Sequence, residues 1–335
     1  MIAGPSATEE YEGSRRAAGL FDFDFRAALF FTGPDRATFL HNVLSNDILT
    51  LRPGTGCYAT LLTQQSKIVA DAYVFAGDDR IRFDVDRALK RRAREHLEKF
   101  LVADEVEIED PSERESALGI VGPRAGHVLR AVGVEPPRET FAHGNASIAD
   151  RRAWIASIDW SGDGGFQIAA SRAELGAIRD ALLSAGRSHG LVAASRETLD
   201  VLRLEAGIPW PGVDFDESHL VLEAGLERGI SFSKGCYLGQ EVVERASSRG
   251  HVNRRLVGLR LDAGPVPPRG ARIMNDAVDV GELRSAALSP ALGRPIALGY
   301  VRREAMAPGT RLAIAGRGAE IVPLPFYHGD RTGGP

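Results

Sequence analysis

The chain has 335 residues, 44% of them hydrophobic and 26% charged, with a formal net charge of −4. That length supports a sizeable core and more than one domain, and the mild acidity gives no general pull toward nucleic acid or an anionic membrane. Two cysteines, Cys57 and Cys236, are too few for a disulfide framework, and no window approaches the roughly 20 apolar residues of a membrane-spanning helix.

The expectation is a cytoplasmic protein with reduced thiols and no membrane partner. Residues 1–19 carry early acidic residues and no apolar run, so they fit neither a secretory signal nor a transit peptide. They are expected to form a flexible leader. The run FDFDFRAALFFTG then alternates and turns apolar, which predicts a strand ending at Gly33 and Pro34. Asp35 is placed to cap the helix RATFLHNVLSND, whose Phe39, Leu40, Val43 and Leu44 share one face. CYATLL (57–62) and KIVADAYVF (67–75) read as paired strands joined by TQQS. RIRFDVD predicts a strand, RALKRRAREHLEKFL a basic helix and EVEIED a further strand.

A second unit of similar grammar follows. SALGIVGPRAGHVLRAVG reads as strand, Gly-Pro turn and helix. A strand over 151–160, the turn SGDGG, the strand FQIAAS and the helix SRAELGAIRDALLSAG come next, and then the amphipathic helix ASRETLDVLRLEAG closes at Gly207. From Arg254 short β-like runs alternate with Gly and Pro turns, which predicts a small all-β barrel or sandwich beyond a boundary near 250–255. The similar starts at Ala27 and Ser116 hint at two related halves.

No phosphate loop, GxGxxG, HExxH or GxSxG motif occurs. The informative stretch is 230–255, ISFSKGCYLGQEVVERASSRGHVNRR. Cys236 follows a lysine and a glycine and precedes a helix start, surroundings that lower a thiol pKa and suit a nucleophile, metal ligand or redox-sensitive group. A small buried hydrophobe is the bland alternative. Cys57, in a strand-like run, has no such context.

The segment KGCYLGQE, Lys234–Glu241, resembles the signature of the YgfZ-type folate-binding proteins. RLEAGIPWPGVDF at 203–215 and the C-terminal run ending in PLPF are similar to segments of the glycine-cleavage aminomethyltransferases, the T-proteins. The resemblance implies an α+β fold: a ring-like folate-binding body over 20–250 and a C-terminal β-barrel over 251–335. It implies tetrahydrofolate or a derivative as cofactor, and iron–sulfur enzymes or assembly proteins as partners, with a role in maturation or repair of [4Fe–4S] enzymes, including tRNA-modifying ones. A folate-dependent aminomethyl- or methyltransferase is the alternative.

The implied site residues are Cys236 as essential thiol, Asp71 at the catalytic carboxylate position, and Trp160, Gln167, Arg203, Lys234, Gly235, Tyr237, Gly239, Gln240 and Glu241 around the folate. In that scheme Lys234 tunes the thiol and the two glycines allow a tight backbone path. Two positions depart from the T-protein pattern. Gln167 stands where a pterin-binding glutamate is expected, so it offers one acceptor oxygen and needs an acceptor for its own protons. Ala70 replaces the neighbour of Asp71 in a pair of aspartates, and Asp71 itself could equally point outward. Arg203, Arg245, Arg249, His251, Arg254 and Arg255 form a basic cluster suited to a folate glutamate tail or to solvent; the acidic total and the lack of an RNA-binding motif argue against direct nucleic-acid binding.

Overall fold

The computed structural model describes residues 6–248 and 252–329. In chain order the elements are α1 (Ala7–Arg16), β1 (Ala18–Asp22), β2 (Arg26–Thr32), α2 (Arg36–Val43), β3 (Gly56–Leu62), β4 (Ile68–Ala76), β5 (Ile81–Asp86), α3 (Lys90–Glu98), β6 (Glu107–Glu109), β7 (Glu115–Val121), α4 (Ala125–Ala131), β8 (His143–Ile148), β9 (Arg151–Ser157), β10 (Gly165–Ser171), α5 (Arg172–Gly186), β11 (Leu191–Ala193) and α6 (Arg196–Glu205). Then come α7 (Gln240–Ser248), β12 (Arg254–Leu261), β13 (Arg272–Asn275), β14 (Val278–Ser289), β15 (Arg294–Arg302), β16 (Arg311–Ile314) and β17 (Arg317–Val322). The chain divides into two compact units, the first made of the described parts of Met1–Leu62, Val69–Leu199 and Arg228–Leu238 and the second of the remainder.

The first unit holds two sheets, a five-stranded one in the order β3-β4-β5-β2-β6 and a six-stranded one in the order β11-β1-β7-β10-β9-β8. The five-stranded sheet has two chemically different faces, because strand side chains alternate. Leu29, Phe31, Val74, Phe83 and Val85 point to one side and form a core with Phe39, Leu40 and Val43 of α2 and Ala93 and Leu97 of α3. Burial of each large side chain there contributes about 1.5–3 kcal/mol. The register pairs Arg26 with Asp86, Ala28 with Asp84 and Phe30 with Arg82, and Asp84 with Tyr73 and Arg82 with Phe75. These residues share the other face, which is therefore charged and aromatic.

Several expectations change. Residues 7–19 are not a flexible leader. Ser6 and Glu9 form a capping box on α1, Tyr11 and Ser14 are buried, and β1 starts at Ala18. Asp35 sits at the start of α2 but does not cap it; its Oδ2 accepts from the Glu105 N–H at 2.9 Å. Strands β8 and β11 fall where the sequence predicts none. No helix of the described residues is long and apolar enough to cross a membrane.

The second unit contains a closed barrel, β12-β15-β14-β13-β16-β17, with Leu259, Ile273, Leu283, Val301 and Ile321 in its core. A single cut near 250–255 does not describe this unit, which also takes in Thr63–Ile68 and Asp200–Glu227. The fully buried Arg203 shows why the 203–214 segment belongs with the barrel. Its guanidinium donates to Asp214 Oδ2, to Asp200 Oδ1 at 2.6 Å and to the Ile208 carbonyl at 3.2 Å. Asp214 also accepts from the Trp210 N–H at 2.9 Å and from Ser285 of β14 at 2.5 Å. Arg203, expected at the folate, thus spends its Nε and Nη1 on this staple.

Asp214→Ala leaves a buried guanidinium short of its partner. The expected cost is about 3–5 kcal/mol of stability, read by urea denaturation of the intact chain. A loss within experimental error would remove the staple role.

Candidate functional site

The charged face of the five-stranded sheet carries the densest set of buried polar groups in the first unit. Asp84 is completely buried and sits at its centre. Its Oδ1 accepts from Arg26 Nε at 2.8 Å, and Arg26 also donates to the Asp84 carbonyl at 2.8 Å. Its Oδ2 accepts from Gln167 Nε2 of β10 at 2.7 Å and lies 3.3 Å from Arg82, which itself pairs with Glu115 at 2.6 Å. A carboxylate this deep is tolerable only when paired in this way.

Aromatic rings enclose Arg26. Its guanidinium lies 5.4 Å from the ring centroids of both Tyr73 and Trp160. Trp160 packs edge-on against Phe23 at 5.2 Å and Tyr73 at 5.4 Å. Phe23 fits because β7 has a glycine beneath it: a Cβ at Gly119 would meet the ring at 2.1 Å. Beyond Tyr73 lies Tyr58, whose hydroxyl donates to Asp71 Oδ2 at 2.9 Å. The Arg228 guanidinium lies 4.5 Å from the Tyr58 centroid.

Three buried polar atoms in this cluster have no protein partner: Asp71 Oδ1, Gln167 Oε1 and Trp160 Nε1. Each unmade bond costs about 1–3 kcal/mol if nothing fills it. Two acceptors and one donor therefore await a ligand or water. Burial raises the Asp71 pKa above the usual carboxylate range, while the Arg26 charge and the Tyr58 hydroxyl oppose it. Burial likewise pushes the Tyr58 phenol well above 10, so it acts as a fixed donor.

Asp71, Trp160 and Gln167 thus gather around Arg26, and Asp71 does not point outward. The structure also supplies what Gln167 lacked in the sequence: Asp84 is the acceptor for its protons. Ala70 is buried among the apolar core residues, so the adjacent position faces away from the cluster.

The KGCYLGQE residues do other work. Lys234 Nζ donates to three backbone carbonyls, those of His41, Leu44 at 2.8 Å and Asn46 at 2.9 Å. It satisfies the carbonyls at and beyond the end of α2 and is not turned toward the thiol. Tyr237 is buried, with its ring 5.1 Å from Lys234 Nζ. Cys236 is exposed. Cys57 is half-buried, and burial pushes its thiol up to about 12.

The glycines differ. Gly239 has φ 88, the left-handed region that favours glycine, and its carbonyl accepts from Ser66 Oγ. Gly235 has open space around it, so no close approach demands a glycine there. Gln240 starts α7 and donates to Glu244, while Glu241 is exposed on the same helix. Of the basic cluster, Arg254 pairs with Glu223 at 3.2 Å and Arg255 with Glu227 at 2.6 Å; Arg249 and His251 lie outside the described residues.

Sequence reasoning missed Arg26, Tyr58, Tyr73, Asp84 and Arg228. A usable signal existed for two of them. In FDFDFRAALFF and RIRFDVD, charges sit inside strands that are otherwise strongly apolar, and such charges are paired when they are buried.

Residues 3–234 match the family described as the GCVT N-terminal domain, and residues 254–328 match the glycine cleavage T-protein C-terminal barrel domain. The chain is 32% identical to an aminomethyltransferase of Thermosynechococcus vestitus over 98% of this chain and 89% of that one. It is 31% identical to an aminomethyltransferase of Streptomyces coelicolor over 96% and 90%. A crystal structure of the glycine cleavage system aminomethyltransferase T from Bartonella henselae superposes with a TM-score of 0.88 at 23% identity, covering 97% of this chain and 90% of that one. The α+β T-protein fold with its six-stranded barrel is therefore shared.

The raised Asp71 pKa fixes the sign of a stability effect. The folded state holds the Asp71 proton more tightly than the unfolded chain, so this group's contribution to stability falls as pH rises from the ordinary carboxylate value through the raised one. Asp71→Asn keeps the Tyr58 bond and removes the charge. It is expected to be more stable than the wild type at pH 8, by about 1 kcal/mol, with a smaller advantage at pH 5. Denaturant melts at the two pH values check this, and an Asn variant less stable at pH 8 refutes it.

Proposed function

The chain belongs to the glycine cleavage T-protein family, and on that premise we propose that its first unit binds tetrahydrofolate or a derivative beside Arg26, Trp160 and Gln167. We further assign it folate-dependent one-carbon transfer of the aminomethyl type, with Asp71 at the reacting end. The observation that carries this reading is the unpartnered Oδ1 of Asp71, a buried carboxyl with raised pKa inside an aromatic enclosure. The residues present fit a reduced pterin. Its N–H groups can satisfy Asp71 Oδ1 and Gln167 Oε1, an acceptor on its edge can take the Trp160 N–H, and flat rings line the cluster.

When bound, tetrahydrofolate supplies the nitrogen that takes up a one-carbon unit. The protein's part is positioning and charge. Arg26 and Asp84 hold Gln167 and Trp160 in place. Tyr58 fixes one oxygen of Asp71 and leaves the other free. The raised pKa brings Asp71 closer to the range in which a carboxyl can both hold and release a proton near neutrality. The Ala70 departure does not remove this group, since adjacent strand residues face opposite sides and only one of the pair can reach the cluster.

A second reading, a YgfZ-type accessory role toward [4Fe–4S] enzymes or their assembly proteins, is favoured by one observation. Cys236 is exposed, whereas Cys57 is held as a thiol by burial. The accessible sulfur can meet a partner.

Tetrahydrofolate titrated into the purified protein is expected to change tryptophan fluorescence saturably, with Trp160→Phe removing most of the change. No binding at millimolar ligand removes the folate reading. Asp71→Ala is expected to weaken binding only by about the worth of one hydrogen bond, roughly tenfold, while lowering aminomethyl transfer by about 10²–10⁴-fold; turnover equal to wild type refutes the assignment of Asp71. For the second reading, Cys236→Ser in cells is expected to lower [4Fe–4S] enzyme activity as far as gene deletion does. Full activity in that variant, beside a clear loss in the deletion, excludes it.

A further inference from the structure

Gln167 has an amide whose two ends are chemically opposite, and what it offers a ligand depends on which end its protein partner takes. Asp84 settles this. Its Oδ2 can only accept, so the Gln167 Nε2 must lie against it, as the 2.7 Å contact has it. The Oε1 is left buried and unpartnered. Asp84 cannot swing away, because its Oδ1 and its backbone carbonyl are both bound by Arg26 and its Oδ2 is flanked by Arg82. Arg82 is in turn tied to Glu115 and covered by the Trp154 ring at 4.4 Å. The orientation of one amide is thus set by a carboxylate that two buried guanidiniums hold from either side.

We propose that Asp84 is a positioning residue that fixes Gln167 as a hydrogen-bond acceptor and so makes this site selective for a ligand edge that presents an N–H donor. The inference rests on the tetrahydrofolate reading and deepens it. The Asp84–Gln167 pair performs with a neutral amide the acceptor role that a glutamate has in the T-protein pattern, and the carboxylate lies one residue further back. Adding a second carboxylate at 167 should therefore harm the site, since two carboxylates at this distance cannot both ionise at ordinary cost. The charged group against Gln167 is Asp84 of β5; Asp84 is faced by Arg26 of β2 and Arg82 of β5, Arg82 by Glu115 of β7, and Arg26 by Tyr73 and Asp71 of β4 and Asp86 of β5.

The test is a double-mutant cycle on the full chain, read by tetrahydrofolate affinity under anaerobic conditions, with thermal melting to confirm folding. In Asp84→Asn, the Asn oxygen stays with Arg26 and its NH₂ donates to Gln167 Oε1. Gln167 then presents N–H to the ligand's N–H, and affinity is expected to fall about tenfold or more, the worth of one hydrogen bond. Gln167→Glu alone is expected to bind progressively more weakly relative to the wild type from pH 6 to 8.5. The double variant Asp84→Asn/Gln167→Glu restores a donor against an acceptor and should return to within about threefold of wild type.

A double variant no better than Asp84→Asn, or Asp84→Asn with wild-type affinity, overturns the inference. Should Asp84→Asn fail to fold, the Gln167→Glu profile decides: an affinity equal to wild type across that pH range overturns it. Absence of binding by the wild type overturns the folate reading and this inference together, whereas wild-type binding with unaffected variants overturns this inference alone.

Discussion

The buried carboxylate of Asp84 is the constraint around which the first unit's site is arranged. A sheet that buries both faces normally has apolar residues on both. Here one face packs on α2 and α3, and the other carries Arg26, Arg82, Asp84, Asp71 and two tyrosine-bearing strands. Charges in such a place are tolerated only as a network in which each is paired. Asp84 closes that network, since both guanidiniums reach it and the amide of the facing sheet does too. Remove it, and Arg26 loses its paired carboxylate in a low-dielectric space while Arg82 is left with Glu115 alone. Within this network the buried polar atoms left without a protein partner are Asp71 Oδ1, Gln167 Oε1 and Trp160 Nε1.

That arrangement explains which parts of the site were legible in the sequence. Asp71, Trp160 and Gln167 were reached through resemblance, because they sit at matching positions in contiguous motifs. Arg26 and Asp84 lie in unremarkable strands, far apart in sequence, and meet only through the β2–β5 register. A strand pattern gives the face on which a residue lies, but not what lies opposite. The core was easier to read. The apolar positions of β2, β4, β5 and α2 follow directly from periods of 2 and 3.6, and the Gly- and Pro-punctuated runs after Arg254 do fold as a closed barrel. The start of the chain gives little signal because α1 has few apolar residues. It is held by a capping box and by Tyr11, and its Glu10 accepts from Ser195 and Thr198, contacts no local pattern announces.

The KGCYLGQE segment teaches a different lesson. A lysine beside a cysteine suggests electrostatic activation, but sequence neighbours in an extended segment point in different directions. Lys234 turns to the end of α2 and spends its three donors on backbone carbonyls. Lysine suits that task, since an ammonium can donate three bonds to convergent carbonyls whereas a planar guanidinium cannot. One motif can thus combine a structural clamp with an exposed thiol, and the clamp alone accounts for the lysine. What remains unassigned by packing is Cys236, because its side chain is not part of any core.

The glutamine at 167 is the point where family pattern and local physics meet. Taken alone, replacing a glutamate by glutamine loses a charge and half of the accepting capacity. Beside Asp84 the same replacement is what electrostatics requires, because a glutamate would face a fixed carboxylate 2.7 Å from the nearest Gln167 atom. The negative charge of this pair sits on Asp84, where Arg26 neutralises it. Gln167 then transmits only its acceptor oxygen. The cost of a charged acceptor, namely desolvation without a partner before the ligand arrives, is avoided, and the oxygen's direction is set by a bond already made in the free protein. The departure from the family pattern at 167 thus keeps an oriented acceptor oxygen without a second carboxylate beside Asp84, and among the described residues of the cluster Asp71 is the carboxyl with an unpartnered buried oxygen.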